Sequence, residues 1–339
     1  MRTDIIIPVW NLPQFTKECI ESVFENTASP FHLIVVDNAS ESPTKDYLQK
    51  LAARHKDKIT LLRNEKNLGF IKAVNRGIGA SGGEYVCLLN NDTRVTKGWL
   101  EEIIKVAEGS HDIGIINANS NTLGCKPKKG QSIEALAEEL KSYTGQYSEL
   151  AWATGFCMLI KRKVIEKVGL FDEVFGMGNF EDADFCKRAL ERGYISVCAR
   201  ASYVYHRERQ SFIKFKEFSS DFSKLRQTFY AKWGKTQRIL YVFTKDEVFS
   251  PERGKEVLLS ARQGNVIWVF LKEKEIWNVN HHSNIYVFSL PKAFFNPVSI
   301  WRIIKRKKKF NKIYVDDQGY GQRLEKFKPF HKAEVIYAG

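Results

Sequence analysis

Three polar clusters, far apart in the sequence, hold residue types that could form a metal-diphosphate site with a general base. Asp92 follows an apolar stretch, Glu181 and Asp182 follow a glycine-bearing loop, and His206 ends a short run rich in tyrosine. A carboxylate binds a hard divalent cation beside phosphate oxygens, and a neutral imidazole can complete such a site. A second carboxylate can accept the proton of an attacking hydroxyl group. Together these residue types favour chemistry on a diphosphate leaving group.

Each of these residues also has a structural interpretation. Asp92 could form a turn and cap a helix that begins near Thr96, because Asn-Asp after a strand is a common turn sequence. Glu181 and Asp182 could simply stabilise a helix N-terminus. Against this, the preceding loop 175–180 carries glycines and apolar side chains, a composition that favours binding of an acceptor.

About the first 115 residues alternate between apolar strand patterns and helical spacings. The predicted strands are 4–9, 32–37, 59–63 and 85–89, and the predicted helices are 14–25, 44–55, 69–79 and 99–107. Continuous apolar strands separated by helices favour a largely parallel sheet with both faces covered. Ligands bind beyond the carboxyl ends of such strands, where Asp37 and Asp92 are predicted to lie.

The rest of the chain is predicted to complete this domain and add a second one. Residues 117–150 read as an irregular insertion, 154–160 as a returning strand and 182–192 as a helix. After about residue 235 the pattern restarts with five predicted strands. We therefore expect domains at 1–234 and 235–339, the second a smaller α/β domain of unassigned role. Its strand-helix alternation has three interpretations: half of a second transferase, a partner-docking module, or a truncated domain, the last because the sequence ends directly after a strand pattern.

Composition indicates a soluble cytoplasmic protein. The six cysteines are scattered without a CxxC pair, which favours buried free thiols in a reducing compartment. No run reaches the ~20 apolar residues that span a bilayer. The apolar stretch at the N-terminus is too short for the core of a signal peptide. Of the net charge of +14, residues 235–339 contribute +10, with 20 Lys and Arg against 10 Asp and Glu.

The basic run 301–310 has three interpretations. It could contact an anionic inner leaflet as an amphipathic helix, bind nucleic acid, or be a solvated helix face. We do not expect a nucleic-acid partner. Peripheral contact with the inner membrane face would suit an enzyme whose acceptor is linked to a lipid.

The order of the motifs resembles glycosyltransferase family 2. The resemblance rests on Ile6–Asn11, Val35–Ser40, Asn67–Gly77, Gly83–Asp92, Thr154-Gly155, Val168–Glu173, Phe180–Phe185 and Tyr205-His206. It covers about residues 4–215 and is closest to the rhamnosyl- and galactofuranosyltransferase-like branch that builds bacterial surface polysaccharides. It implies a GT-A fold, in which helices flank a mostly parallel sheet, and inverting transfer from a nucleotide-diphosphate sugar.

The resemblance also implies the donor site. Pro8 and Asp37 are implied to line the pocket of the nucleotide base, and Asn67 and Gly69 to lie near the nucleotide. Asn91 and Asp92, in the motif Asn90-Asn91-Asp92, are implied to bind the nucleotide sugar. Asp37 could accept a hydrogen bond from the imide N–H of uracil or thymine, which favours a UDP- or dTDP-sugar. The alternative for Asp37 is an Asx-turn with Ser40.

The metal site and the base follow from the same resemblance. Asn90 stands where the family's DxD motif has its first carboxylate, so Mn²⁺ or Mg²⁺ is expected on Asp92 and His206. Asp182 is implied to be the general base and Glu181 an acceptor-binding neighbour. The acceptor would be a hydroxyl of a glycan or a lipid-linked saccharide. The alternative is a catalytically weakened GT-A domain that acts as a binding or scaffold protein, which the change at Asn90 favours.

Overall fold

The structure is a computed structural model that describes residues 2–207, 218–244, 251–272 and 279–337. The chain divides into two compact units. Unit 1 comprises Met1–Ser148 and Trp152–Trp233, and unit 2 comprises Glu149–Ala151 and Gly234–Gly339. The end of the sequence, on which the interpretation as a truncated domain rests, falls on residues 338–339, which lie outside the described residues.

Unit 1 is built on a mixed sheet. Its strands are β1 (Thr3–Val9), β2 (Phe31–Asp37), β3 (Ile59–Arg63), β4 (Tyr85–Leu89), β5 (Thr93–Val95), β6 (Ile113–Asn119), β7 (Tyr147–Leu150), β8 (Cys157–Lys161) and β9 (Ile195–His206). The spatial order is β3-β2-β1-β4-β8-β6-β9-β5, and β7 also pairs with β9. Strands β1 to β4 pair in parallel, as do β6 and β9, whereas β8 runs antiparallel to β4 and β6.

Helices cover both faces of this sheet. They are α1 (Pro13–Asn26), α2 (Thr44–Arg54), α3 (Phe70–Gly79), α4 (Trp99–Glu108), α5 (Ile133–Leu140), α6 (Arg162–Val168), α7 (Glu181–Glu191) and α8 (Phe218–Trp233). Successive side chains of a strand point to opposite faces. Ile5 and Ile7 of β1 therefore pack into one apolar core and Ile6 into the other, and all three are fully buried.

The prediction of an irregular insertion at 117–150 is wrong at its start. Residues 117–119 belong to β6, which lies between β8 and β9 inside the sheet. Asn117 is fully buried, and its amide donates to the carbonyl oxygens of Thr154 and Cys157. The asparagines made this segment look like a loop, whereas they satisfy backbone groups in the core.

Unit 2 is a smaller parallel α/β unit. Its strands are β10 (Arg238–Val242), β11 (Val266–Lys272), β12 (Ile285–Leu290), β13 (Lys312–Val315) and β14 (Glu334–Tyr337), in the order β12-β11-β10-β13-β14. Its helices are α9 (Pro251–Arg262), α10 (Phe295–Lys305), α11 (Gln318–Glu325) and α12 (Lys328–His331). Residues of α9 pack into the core on one sheet face, and residues of α10 and α11 pack into the core on the other.

The two acidic residues after β13 have structural partners. Asp316 accepts hydrogen bonds from the backbone N–H and the hydroxyl group of Thr244. Asp317 caps α11 by accepting the N–H of Tyr320 at 2.6 Å. No described helix is both long and apolar enough to cross a membrane.

Candidate active site

Asp92, which follows strand β4, lies against His206, the last residue of strand β9. Asp92 Oδ1 lies 3.2 Å from His206 Nε2, and the Asp92 side chain is buried. Strand β5 explains the approach, because Thr93 pairs with His206 in antiparallel register. The capping alternative for Asp92 does not hold, since α4 begins at Trp99 with Gly98 at its N-cap.

The His206 ring is held from two sides. It stacks on Phe156 with ring centroids 5.3 Å apart and an interplanar angle of 14°. Its Nδ1 lies 3.1 Å from the hydroxyl of Thr122. A partner on one ring nitrogen orients the other nitrogen toward a ligand, and here Nε2 faces Asp92.

These residues fit a divalent cation as two of its ligands. Among the described residues, no three or more His, Cys, Asp or Glu side chains are grouped so that they could hold a metal ion. Asp92 and His206 nevertheless place a carboxylate oxygen and an imidazole nitrogen 3.2 Å apart. Mn²⁺ and Mg²⁺ commonly take their remaining ligands from substrate phosphates and water.

The second acidic cluster begins helix α7. Glu181 is its first residue, and the chain enters it through Asn179 and Phe180, both with positive φ (88° and 70°). Such backbone conformations cost free energy and tend to persist where the surrounding structure holds them. Phe180 is held by its ring, which stacks on Phe229 of α8 at 5.3 Å.

The two carboxyl groups of this cluster have pKa values displaced in the same direction. Burial, followed by the charge of Asp182, raises the pKa of Glu181 well above its usual range. Burial also raises the pKa of Asp182, while the backbone N–H groups of Ala183 and Gly155 partly oppose this. Ala183 N–H donates to Asp182 Oδ1 at 2.7 Å. Glu181 Oε2 is buried and has no hydrogen-bond partner among the described residues.

One segment before β8 connects the two acidic clusters. The carbonyl oxygen of Phe156 accepts the N–H of Asn90 at 2.9 Å, and its ring stacks on His206. The backbone of the preceding residue, Gly155, lies beside the carboxyl group of Asp182 and lowers its pKa. The adjacent residues Gly155 and Phe156 therefore lie beside the two acidic clusters. A Cβ at Gly155 would come within 3.3 Å of the Phe70 ring, so this position needs a small residue.

Both carboxylate oxygens of Asp37, at the end of β2, have partners within the protein. Its Oδ1 accepts the backbone N–H of Ser40 at 2.8 Å, and Arg63 forms an ion pair with Oδ2. Arg63 also donates to the carbonyl oxygen of Ser40 at 2.9 Å. The Asx-turn is therefore present in the structure. Each carboxylate oxygen can accept a second hydrogen bond, so base recognition by Asp37 stays a prediction.

Asn38 organises the loop before α3. Its amide donates to Asn67 Oδ1 at 2.8 Å and to the Gly69 carbonyl at 3.1 Å, and its own Oδ1 accepts the N–H of Leu68. Gly69 has φ 84°, and a Cβ there would lie 2.8 Å from Met177 Sδ. Asn67 and Gly69 are thus held beside the loop that leads to Glu181.

The remaining predicted donor residues lie at strand ends. Pro8 of β1 pairs in register with Val36, next to Asp37. Asn91 is buried, and its amide donates to Thr16 of α1 at 2.9 Å. This bond anchors the strand end that carries Asp92.

Asp184, the third carboxylate of the α7 cluster, is structural. It is fully buried and pairs with Arg188 at 2.8 Å and Lys232 at 2.7 Å. The indole N–H of Trp233 also donates to it at 2.8 Å. These contacts attach α8 to α7 and leave Glu181 and Asp182 as the carboxylates of the site.

Sequence reasoning missed four supporting residues: Asn38, Asn117, Thr122 and Phe156. The first two bond the backbone of distant loops, and the last two orient His206. Asn38 alone had a sequence signal, because it lies beside Asp37 in the predicted turn. The others come together only through tertiary contacts.

Comparison with known proteins agrees with this geometry. Residues 4–169 match the model of the family described as Glycosyl transferase family 2. The uncharacterized glycosyltransferase YwdF of Bacillus subtilis is 25% identical over 60% of this chain and 74% of its own length. The glycosyltransferase AglE of Haloferax volcanii is 27% identical over 56% of this chain and 62% of its own length.

Solved structures show the same fold. A mannosyltransferase from Pyrobaculum calidifontis, solved with GDP-Man and Mn²⁺, has a TM-score of 0.51 at 17% identity, covering 77% of this chain and 68% of its own. TarS of S. aureus, solved with UDP-GlcNAc, has a TM-score of 0.51 at 17% identity, covering 68% of this chain and 66% of its own. The predicted GT-A fold is confirmed. Residues 4–169, just under half of this chain, are therefore similar to glycosyltransferase family 2.

Proposed function

We propose that this chain is an inverting glycosyltransferase. It moves a sugar from a UDP- or dTDP-sugar to a hydroxyl of a glycan or lipid-linked acceptor in bacterial surface polysaccharide synthesis. The observation that carries the proposal is that His206, the partner of Asp92, and the carboxyl group of Asp182 lie beside two adjacent residues, Phe156 and Gly155.

The leaving diphosphate is assigned to Asp92 and His206. Their facing oxygen and nitrogen atoms would hold Mn²⁺ or Mg²⁺, which stabilises the negative charge of a departing diphosphate. Phe156 and Thr122 keep the imidazole in place for this task. Nucleotide-base recognition is assigned to Pro8 and Asp37, and contact with the rest of the donor to Asn67, Gly69 and Asn91.

The acceptor is assigned to the carboxyl groups at the start of α7. Deprotonated Asp182 takes the proton of the acceptor hydroxyl while that oxygen bonds to the anomeric carbon. The bond from this carbon to the diphosphate oxygen breaks on the opposite face, so the configuration inverts. The raised pKa of Asp182 supports the role, because a base is most effective when its pKa is close to the working pH. The unpartnered Oε2 of Glu181 supports a contact with the acceptor.

A second candidate is a weakened domain that binds sugar nucleotides without turnover. The observation that favours it is Asn90, whose amide nitrogen lies 3.5 Å from His206 Nε2 in place of a carboxylate. Cation-dependent transfer or hydrolysis of a sugar nucleotide by the purified chain would exclude it.

The cell compartment and the domain roles complete the proposal. All six cysteines are free and five of them are buried, which supports a reducing, cytoplasmic location. Residues 1–234 would perform the transfer, and residues 235–339 would form a separate domain.

Asp182→Asn tests the proposal once a donor is identified. Thermal shift with UDP- and dTDP-sugars and Mn²⁺ would identify it, because a bound ligand stabilises the folded state. Asp182→Asn should lower kcat by about 10²-fold or more, as expected for loss of a general base, and leave the donor Kd within about threefold.

Glu191→Gln, at the exposed end of the same helix, is the matched control and should keep full turnover. Near-normal turnover by Asp182→Asn would remove Asp182 from the mechanism. A large loss of donor affinity in that variant would instead assign Asp182 to the donor.

A further inference from the structure

The outer side of helices α10 and α12 in unit 2 exposes large aromatic side chains. Phe294, Trp301 and Phe330 are 64%, 59% and 59% exposed. Helix α12 packs beside α10. Phe294, the residue before α10, precedes Trp301 by seven residues, which is about two helical turns. Together with Lys305, Lys307 and Lys308, which are also exposed, these residues form what we term the aromatic-basic face.

These aromatic side chains are not needed to hold α10 on its sheet. Its inner stripe, Phe295, Ser299 and Ile303, is buried against the core of unit 2 at intervals of four residues. Trp301 and Lys305 are also four residues apart but lie on the outer side, so they share an exposed stripe. An exposed aromatic cluster that the fold does not require marks an interaction surface.

The charge around this stripe is one-sided. Residues 292–332 hold 12 Lys and Arg against 3 Asp and Glu. Cations also lie among the rings: Lys305 Nζ is 5.9 Å from the centroid of Trp301, and the Arg302 guanidinium is 5.9 Å from the centroid of Phe288. The partner that complements this face is therefore anionic and accepts aromatic side chains.

We propose that the aromatic-basic face binds the surface of an anionic lipid bilayer. Tryptophan and phenylalanine enter the headgroup region while flanking lysines attract acidic lipids. A single-stranded nucleic acid fits less well, since its bases stack on ring faces that line a groove. Here Phe294 and Trp301 protrude from a helix, and Lys305 lies over the Trp301 ring. This inference goes beyond the proposed transfer reaction and does not depend on it.

Cosedimentation of the full chain with vesicles tests the charge. Binding should be strong with phosphatidylcholine vesicles containing phosphatidylglycerol, weak with phosphatidylcholine alone, and reduced by salt. The triple change K305Q/K307Q/K308Q should weaken binding about fivefold for each charge removed. The control K126Q/K128Q/K129Q removes three exposed charges from a loop of unit 1 and should bind like the wild type.

A second pair of variants tests the aromatic contribution. Trp301→Ala should weaken vesicle binding about tenfold through lost apolar contact, whereas Leu259→Ala should not. Leu259 is 52% exposed on α9, which covers the opposite face of the sheet of unit 2. Brominated lipid should quench the fluorescence of the wild type more than that of Trp301→Phe.

Three results would overturn the inference. The first is equal binding to neutral and anionic vesicles, and the second is unchanged binding by K305Q/K307Q/K308Q. The third is binding of a single-stranded oligonucleotide that these variants abolish while vesicles bind to none of the proteins. Donor-dependent turnover in free solution is measured separately, so failure here leaves the proposed transferase function intact.

Discussion

Glu181 carries an energetic cost that its neighbours do not offset. Its side chain is 7% exposed, its Oε2 has no hydrogen-bond partner among the described residues, and the carboxyl group of Asp182 adjoins it. A buried polar atom without a partner costs about 1–3 kcal/mol. Such a cost at the entrance of α7 is understandable if the oxygen is reserved for the acceptor.

Glu181→Gln should therefore change how stability depends on pH. Burial raises the pKa of Glu181 in the folded protein, so between the unfolded value of about 4.3 and the folded value the native state binds more protons. Wild-type stability consequently decreases as the pH rises through this range. The glutamine cannot ionise, so the variant should gain stability relative to the wild type by about 1.4 kcal/mol for each unit of the pKa shift.

Chemical unfolding between pH 5 and pH 8 measures this difference. The two proteins should differ least at pH 5 and most at pH 8, with the variant more stable. Glu191→Gln is again the matched control, because that side chain is exposed on the same helix. If the stability difference between the wild type and Glu181→Gln stayed constant across this pH range, burial would not raise the pKa of Glu181.

At the scale of elements, local patterns predicted most of the fold. The apolar runs of β1, β2 and β4 and the helical spacings between the strands were recognised because these three strands are buried on both faces. Strand β6 was missed because its buried asparagines resemble loop residues. The antiparallel insertion of β8 between β4 and β6 has no local signal, since strand order depends on contacts between distant segments.

The candidate site was predictable to a similar extent. The pairing of Asp92 with His206 came from a family resemblance, and the structure brings the two side chains together. Spacing alone could not have shown it, because 113 residues separate them. For Asp37, the sequence alone left two interpretations open. Its sequence suggested both a turn and a base contact; the turn is present in the structure, and the base contact stays a prediction.

Two glycines of α3 allow a matched test of packing between elements. Gly77 lies against β1, where an added Cβ would come within 2.5 Å of Ile6 Cγ2, whereas Gly79 has nothing within 4 Å. Gly77→Ala should destabilise the protein by about 1–3 kcal/mol because the core is already filled. Gly79→Ala should be neutral or stabilise by up to about 1 kcal/mol, since alanine favours the helix.

Thermal unfolding of the two α3 variants distinguishes these outcomes. The midpoint should decrease for Gly77→Ala and stay the same or increase for Gly79→Ala. Equal midpoints would show that β1 and α3 separate enough to accept a methyl group.

For the whole molecule, the core contacts of α8 decide what belongs to unit 1. Phe229, Leu225 and Trp233 pack against the core that also contains Ile6 and Phe185. A further attachment is the ion pair between Lys232 of α8, which is partly exposed, and the buried Asp184. Loss of Lys232 would leave the buried Asp184 carboxylate with Arg188 as its remaining cation and would destabilise the fold.

A fragment that ends after α8 should therefore fold, whereas a fragment that ends before α8 should not. Residues 1–234 keep both apolar cores of unit 1 and the partners of Asp184, so this fragment should fold cooperatively and bind the donor. Residues 1–217 lose α8, which exposes the core around Phe180 and leaves Asp184 without Lys232 and Trp233. Circular dichroism melts with and without donor measure both properties. If 1–234 fails to fold while the full chain folds, unit 1 depends on residues beyond Trp233 and the two domains are not independent.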